Sequence, residues 1–171
     1  MARRDKDFLG LEVVSLEDAS VVGEVDGLIV DEKTNAVAGL IIDLGIYEAK
    51  VVAYADVLNV GDDAVMIDSA GVVKPISQHS SLKEIAERDI DPCDSLAITD
   101  KGDIVGVVGD YFVDPASGAL KGVEVVVDEE DDCDEGTVYV LPIADVVRIG
   151  ADLLMVRAGF QANAVSSGED L

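Results

Sequence analysis

The chain repeats itself, and this repeat constrains its fold more than any other feature. The stretch VVGEVDGLIVDEKTNAVAGLIID (21–43) lies over IVGVVGDYFVDPASGALKGVEVVVD (104–128) at a constant offset of 83 residues. Gly23 meets Gly106, Val25 meets Val108, Val30 meets Val113, Asp31 meets Asp114 and Gly39 meets Gly122. Downstream, ADVLNVGDDAVMI (55–67) lies over ADVVRIGADLLMV (144–156) at an offset of 89, so the second copy is six residues longer between the matched blocks. Self-similarity at a fixed period means that one supersecondary unit is used twice.

Each copy reads as β. In the first, the runs 11–15, 21–31, 36–44, 50–54 and 64–68 are rich in Val and Ile and bounded by turn residues, the pattern of short strands. VDEKTNAV and its partner VDPASGAL carry Asn35 and Gly118 at matched positions and Pro115 in the second copy. Pro presets φ while Asn and Gly tolerate positive φ, so both are hairpin loops. Gly23 and Gly106, inside strand patterns, mark bulges or a close backbone approach. Ser81 followed by Glu84 forms a capping-box pattern before an apolar stripe of Leu82, Ile85 and Ala86, which predicts one helix over 81–88, ended before Pro92. The expected organisation is a first β repeat over 1–74, a linker with a short helix over 75–91, a second repeat over 92–160 and a disordered tail over 161–171. Short antiparallel strands without long intervening helices predict an all-β fold of two small barrels.

Composition narrows the function. The 171 residues are 49% hydrophobic, enough for a core, and carry 36 acidic against 12 basic residues, a formal charge of −24. Such a chain repels phosphate backbones, so direct nucleic-acid binding is not expected, and docking on anionic lipid is disfavoured for the same reason. The acidity serves solubility or steers a basic protein partner. No run approaches 18 uninterrupted apolar residues and no apolar segment follows Arg3 and Arg4, so the expectation is a cytoplasmic protein without membrane insertion.

The succession G-x-V, V-D, a hairpin, G-[LV] and then A-D-V-x-x-[VI]-G, present twice, resembles the PRC-barrel domain, a family that includes the photosynthetic reaction centre H subunit and the C-terminal domain of a ribosome maturation factor. The resemblance covers about residues 8–68 and 92–158. It implies two tandem six-stranded β-barrels used as scaffold and docking surface, without an active site or cofactor. The reading is therefore a non-enzymatic adaptor for a protein partner, with a basic surface as the kind of partner its charge would favour. Two alternatives remain: an accessory factor in ribosome maturation or RNA processing acting through ribosomal proteins, and, less favoured, a metal-binding or enzymatic protein. Tandem copies could also dock on one another as a homodimer of single barrels would, which leaves homo-oligomerisation open.

Candidate chemical residues are few. His79, the single histidine, sits in a polar linker, and neither a phosphate-loop nor a dinucleotide motif is present. Asp31 and Asp114 are expected to hold Asx-type turns, and Asp56 and Asp145 to cap a short turn before the last strands. Cys93 and Cys133 lack metal-site spacing. The acidic loop formed by Asp128, Glu129, Glu130, Asp131, Asp132, Asp134 and Glu135 around Cys133 fails the calcium-loop register, because Cys133 falls where that register requires an acid or a glycine. Neighbouring carboxylates would suppress a Cys133 thiolate. The expectation is no catalytic, cofactor or metal residue, with this loop as a candidate interaction surface.

Overall fold

The computed structural model describes residues 1–127 and 137–171. A two-residue strand β1 (Arg3–Arg4) opens the chain. The first half then forms β2 (Glu12–Ser15), β3 (Val21–Glu24), β4 (Gly27–Asp31), β5 (Ala36–Asp43), β6 (Lys50–Ala53), β7 (Val57–Val60) and β8 (Ala64–Ile67). A short strand β9 (Lys74–Pro75) and the helix α1 (Ser80–Glu87) lead to the second half. That half comprises β10 (Leu96–Thr99), β11 (Ile104–Val113), β12 (Leu120–Val126), β13 (Val138–Pro142), β14 (Val146–Ile149) and β15 (Leu153–Val156).

The two halves share one strand order. In the second, the sheet runs β13-β12-β11-β10-β15-β14, with β1 added alongside β11. In the first, the same order is split between two sheets, β6-β5-β4 (extended by β9) and β3-β2-β8-β7. The split falls at Val25 and Asp26, between β3 and β4, where the second half runs on through a register shift between Val108 and Asp110. Such a bulge bends a strand and increases its twist, so the same corner is turned by a bulge in one copy and by a strand break in the other. Corresponding backbone bonds close it: Gly10 and Val25 bond to Val25 and Leu11 as Asp94 and Val108 bond to Val108 and Ser95. Gly10 (φ +80) and Asp94 (φ +63) occupy equivalent positions, both left-handed.

The halves meet about a local two-fold relation. Val37 N–H donates to Gly118 O at 2.8 Å, and Leu120 N–H donates to Asn35 O at 2.9 Å. These bonds exchange identical roles at the 83-residue offset, and Ala36 pairs with its own counterpart Ala119 between them. Asn35 (φ +50) and Gly118 (φ +78) supply the left-handed backbone that the hairpins require. At Gly118 a Cβ would lie 2.7 Å from the Tyr54 ring, so close packing also demands the missing side chain. Tyr54 Oη donates to Pro115 O at 2.9 Å, and burial first, then the charge of Asp114, pushes its phenol up to about 12.

The leading segments are exchanged. The segment before the first half lies on the second: β1 pairs antiparallel with β11, Arg3 opposite Val113 and Arg4 opposite Phe112. The segment before the second half lies on the first, with Arg88 reaching Asp31 (3.2 Å) and Glu32 (2.9 Å). One hydrophobic core consequently runs through both copies, from Phe8, Val13, Leu40 and Ile67 to Val108, Leu141, Leu154 and Phe160. A smaller cluster joins Leu82 of α1 to Ile29 and Val51 of the first half.

Two expectations change. The helix begins at Ser80, and its cap is His79, whose Nδ1 accepts from Leu82 N–H at 3.4 Å, rather than Ser81. The imidazole is an acceptor one turn ahead of Leu82, so it takes the position that Ser81 was expected to fill. The segment 161–171, expected to be disordered, packs on the second half: Val165 bridges Val140, and the Leu171 side chain lies over Gly122. Small residues let it lie close, since a side chain at Gly168 would collide with the Phe112 ring.

Candidate functional site

The sharpest surface feature is the six-residue connection between β5 and β6. Asp43 Oδ1 accepts from Gly45 N–H at 2.8 Å, and Gly45 takes a φ of +60 that favours glycine. Glu48 accepts from Ser77 N–H at 3.2 Å, and Ala49 O from Ile76 N–H at 2.9 Å. The base of the loop is thus anchored to the linker while its apolar tip projects. Ile46 is 94% and Tyr47 99% exposed, with Leu44 also exposed beside them. Isolated exposed apolar residues are normal; three at one loop tip between Asp43 and Glu48 form a small patch with an acidic rim.

Its counterpart in the second half is closed at the base by Val127 N–H donating to Thr137 O at 2.8 Å. The candidate residues Asp128, Glu129, Glu130, Asp131, Asp132, Asp134 and Glu135, together with Cys133, lie outside the described residues. The strands on either side of that loop, β12 and β13, correspond to β5 and β6, which carry the apolar tip of the first half.

Residues 1–73 match the family model of the PRC-barrel domain. This segment is similar to a PRC-barrel domain. It spans β1 to β8 and therefore includes the Leu44–Tyr47 tip. No curated protein matches the chain.

The remaining sequence candidates do structural work in and around the matched segment. Asp31 and Asp114 hold Asx turns through Lys33 N–H (3.0 Å) and Ala116 N–H (3.1 Å). Burial raises the Asp31 carboxyl, but hydrogen bonds from Lys33 N–H, Thr34 and Arg88 hold it below its ordinary value; at Asp114 the Ser117 hydroxyl and then Ala116 N–H do the same against a smaller effect of burial. Asp56 and Asp145 end matched 3-10 turns; Asp145 is buried and accepts from Asn163 Nδ2 at 3.1 Å, whereas Asp56 is exposed. Cys93 is a free thiol whose Sγ donates to Asp5 Oδ2 at 3.3 Å. Burial, then the Asp5 charge, pushes its pKa up, which disfavours the nucleophilic thiolate. Among the described residues no group of three or more His, Cys, Asp or Glu is placed to hold a metal ion, and no helix is long and apolar enough to cross a membrane.

Two further features escaped sequence reasoning. Arg4 bonds Asp110 and, at 2.7 Å, Glu124, while its guanidinium lies 5.2 Å from the centre of the Phe112 ring and Lys6 reaches Asp110 at 2.9 Å. The second is a cleft of about 280 Å³ between the leading segments and β4, lined by Asp5, Asp26, Asp89 and Asp91 above Leu28, Ile41 and Ile85, with Tyr111 also on its wall. Both follow from the exchange. The only signal available was the likeness of RRDKD (3–7) to ERDID (87–91), just outside the matched blocks.

Proposed function

We propose that the chain is a cytoplasmic, non-enzymatic adaptor in which both halves are PRC-type six-stranded barrels, docking a basic protein partner through the loops that join the matched hairpins. The shared strand order and the reciprocal contacts support extending the family reading to the second half. The observation that carries the docking reading is the exposed Leu44–Ile46–Tyr47 tip, held rigid at its base and rimmed by acid. An apolar centre inside a charged rim is the usual anatomy of a protein–protein hot spot. The −24 charge would add long-range attraction to a basic surface.

The test is co-purification from native lysate with the wild-type chain and with an Ile46→Ser, Tyr47→Ser double variant, at low and high salt. The partner should be retained by the wild type, lost by about tenfold or more in the double variant, and bound more weakly at high salt. A partner indifferent to both changes would sink the reading.

A further inference from the structure

The two copies show different outer faces of the same sheet to solvent. In the second half one cross-strand row runs Val138–Val126–Val107–Leu96–Leu153, each residue directly opposite the next across β13, β12, β11, β10 and β15. The chain neighbours Val125, Val108, Ala97 and Leu154 are fully buried, so strand alternation turns this row outward. Val138, Val126, Val107 and Leu96 are between 38% and 49% exposed, and Leu153 is partly buried. A second row, Ile104–Ile98–Met155, lies beside it and ends at Arg148.

The first half fills the matched positions of the long row differently. Glu12 and Glu24 stand opposite one another where the second half has Leu96 and Val107. Asp43 takes the place of Val126, and Ala64 that of Leu153. All three acids are exposed. An antiparallel sheet with one face on the core normally shows polar side chains on the other, and along this row the first copy does so. The aliphatic row is therefore a property of the second copy, not a demand of the shared strand order. Five aligned aliphatic side chains beside a second row of three form a contiguous patch rather than scattered exposure.

We propose that this face docks an amphipathic helix of a partner protein, its apolar stripe along the Leu96–Val107–Val126 row and its flanks basic. The row fits in length: four steps at the usual strand spacing span about 19 Å, the length of a helix of about 13 residues. The margin fits in charge, because Asp94, two residues before Leu96, and Asp152, next to Leu153, are exposed and form no ion pair among the described residues. Arg148, beside Met155 at the β14 corner, suits the negative C-terminal end of a helix. The first half supplies a template, since Leu82 of α1 packs with Ile29 and Val51 and covers Gly39, and Arg88 just beyond the helix reaches Asp31 and Glu32. A second copy suits the face less. Each chain carries a charge of −24, and the two rows fall well short of the roughly 20–30 residues a side of a stable interface. The face belongs to the second half and does not rest on the docking reading of the Leu44–Tyr47 tip.

The probe is an amidated peptide of about 14 residues built from Leu and Lys, with Leu at i, i+3, i+4 and i+7. A peptide of the same composition with its leucines spread round the helix is the control. Fluorescence anisotropy with the full chain at about 0.15 M salt should show saturable binding of the first and none of the second. Leu96→Glu combined with Val107→Glu installs what the first copy carries at these positions, and should weaken binding about tenfold or more. Diffuse attraction to an acidic chain predicts the opposite, because the variant is more acidic. Leu96→Ser, which leaves the charge unchanged, should weaken binding several-fold, and a melting curve for each variant separates lost binding from lost structure. Ile46→Ser combined with Tyr47→Ser should leave peptide binding unchanged, so failure of this face and failure of the loop tip are read separately. Equal binding of the two peptides, or tighter binding by the double Glu variant, would overturn the proposal in favour of diffuse attraction. Light scattering that finds a wild-type dimer and a monomeric double Glu variant would overturn it in favour of a second copy.

Discussion

Arg4 shows how one side chain links distant parts of this molecule. It belongs to the first half by sequence, yet its guanidinium joins Asp110 and Glu124 of the second and covers Phe112. Asp110 is largely buried; burial alone would raise its carboxyl pKa, but Lys6 and Arg4 together hold it below the ordinary value. A carboxyl whose folded pKa is depressed contributes stability above its unfolded pKa and loses it as pH falls through the folded one. Arg4→Ala should therefore cost about 1–2 kcal/mol at neutral pH, discounted because the arginine is partly exposed. Below about pH 4 the gap between variant and wild type should begin to narrow, closing as pH falls through the depressed folded value. Urea denaturation at pH 7 and pH 3 reads both values, and a gap that persists unchanged at pH 3 would show that packing on Phe112, not the ion pairs, is what Arg4 contributes.

At the scale of elements, the repeat made most of the strands legible in advance, because Val-rich runs and Gly, Asn and Pro turns are local signals. The Asx turns at Asp31 and Asp114 were legible for the same reason. Three things were not. Whether the corner after Val25 or Val108 becomes a strand break or a bulge depends on tertiary strain. The packing of 161–171 depends on a partner surface that exists only after folding. The cap of α1 was misplaced because Ser81 fits the familiar pattern, whereas the histidine two residues earlier has the right geometry. That bond is long at 3.4 Å, which leaves room for improvement. His79→Asp should raise stability by about 0.5 kcal/mol, through a better acceptor and a favourable charge at the helix start. His79→Ala should lower it by about 0.5–1 kcal/mol. Thermal melts of the two variants should bracket the wild type; equal melting temperatures would mean that helix formation there is set by Leu82 packing alone.

For the whole molecule, the exchange of leading segments and the shared core decide whether two repeats behave as two domains. Beads on a string would each carry their own core and unfold independently. Here Val13 and Val65 of the first half and Ala97 and Leu154 of the second belong to one buried cluster, and each half is covered by the segment that precedes the other. The expected behaviour is a single cooperative unit. Native-state hydrogen exchange gives the direct measurement, because protection in the two halves can be read separately. Leu154→Ala, at a fully buried site, should cost about 2–4 kcal/mol. If the halves are one unit, protection at Val13, in β2, should fall by the same amount as at Ala97, in β10. If only the second half loses protection, the exchanged segments act as loose straps over two independent barrels. The exposed tip at Leu44–Tyr47 would then be insulated from events in the second half; a single unit instead makes the stability of that tip answerable to every core residue of its partner.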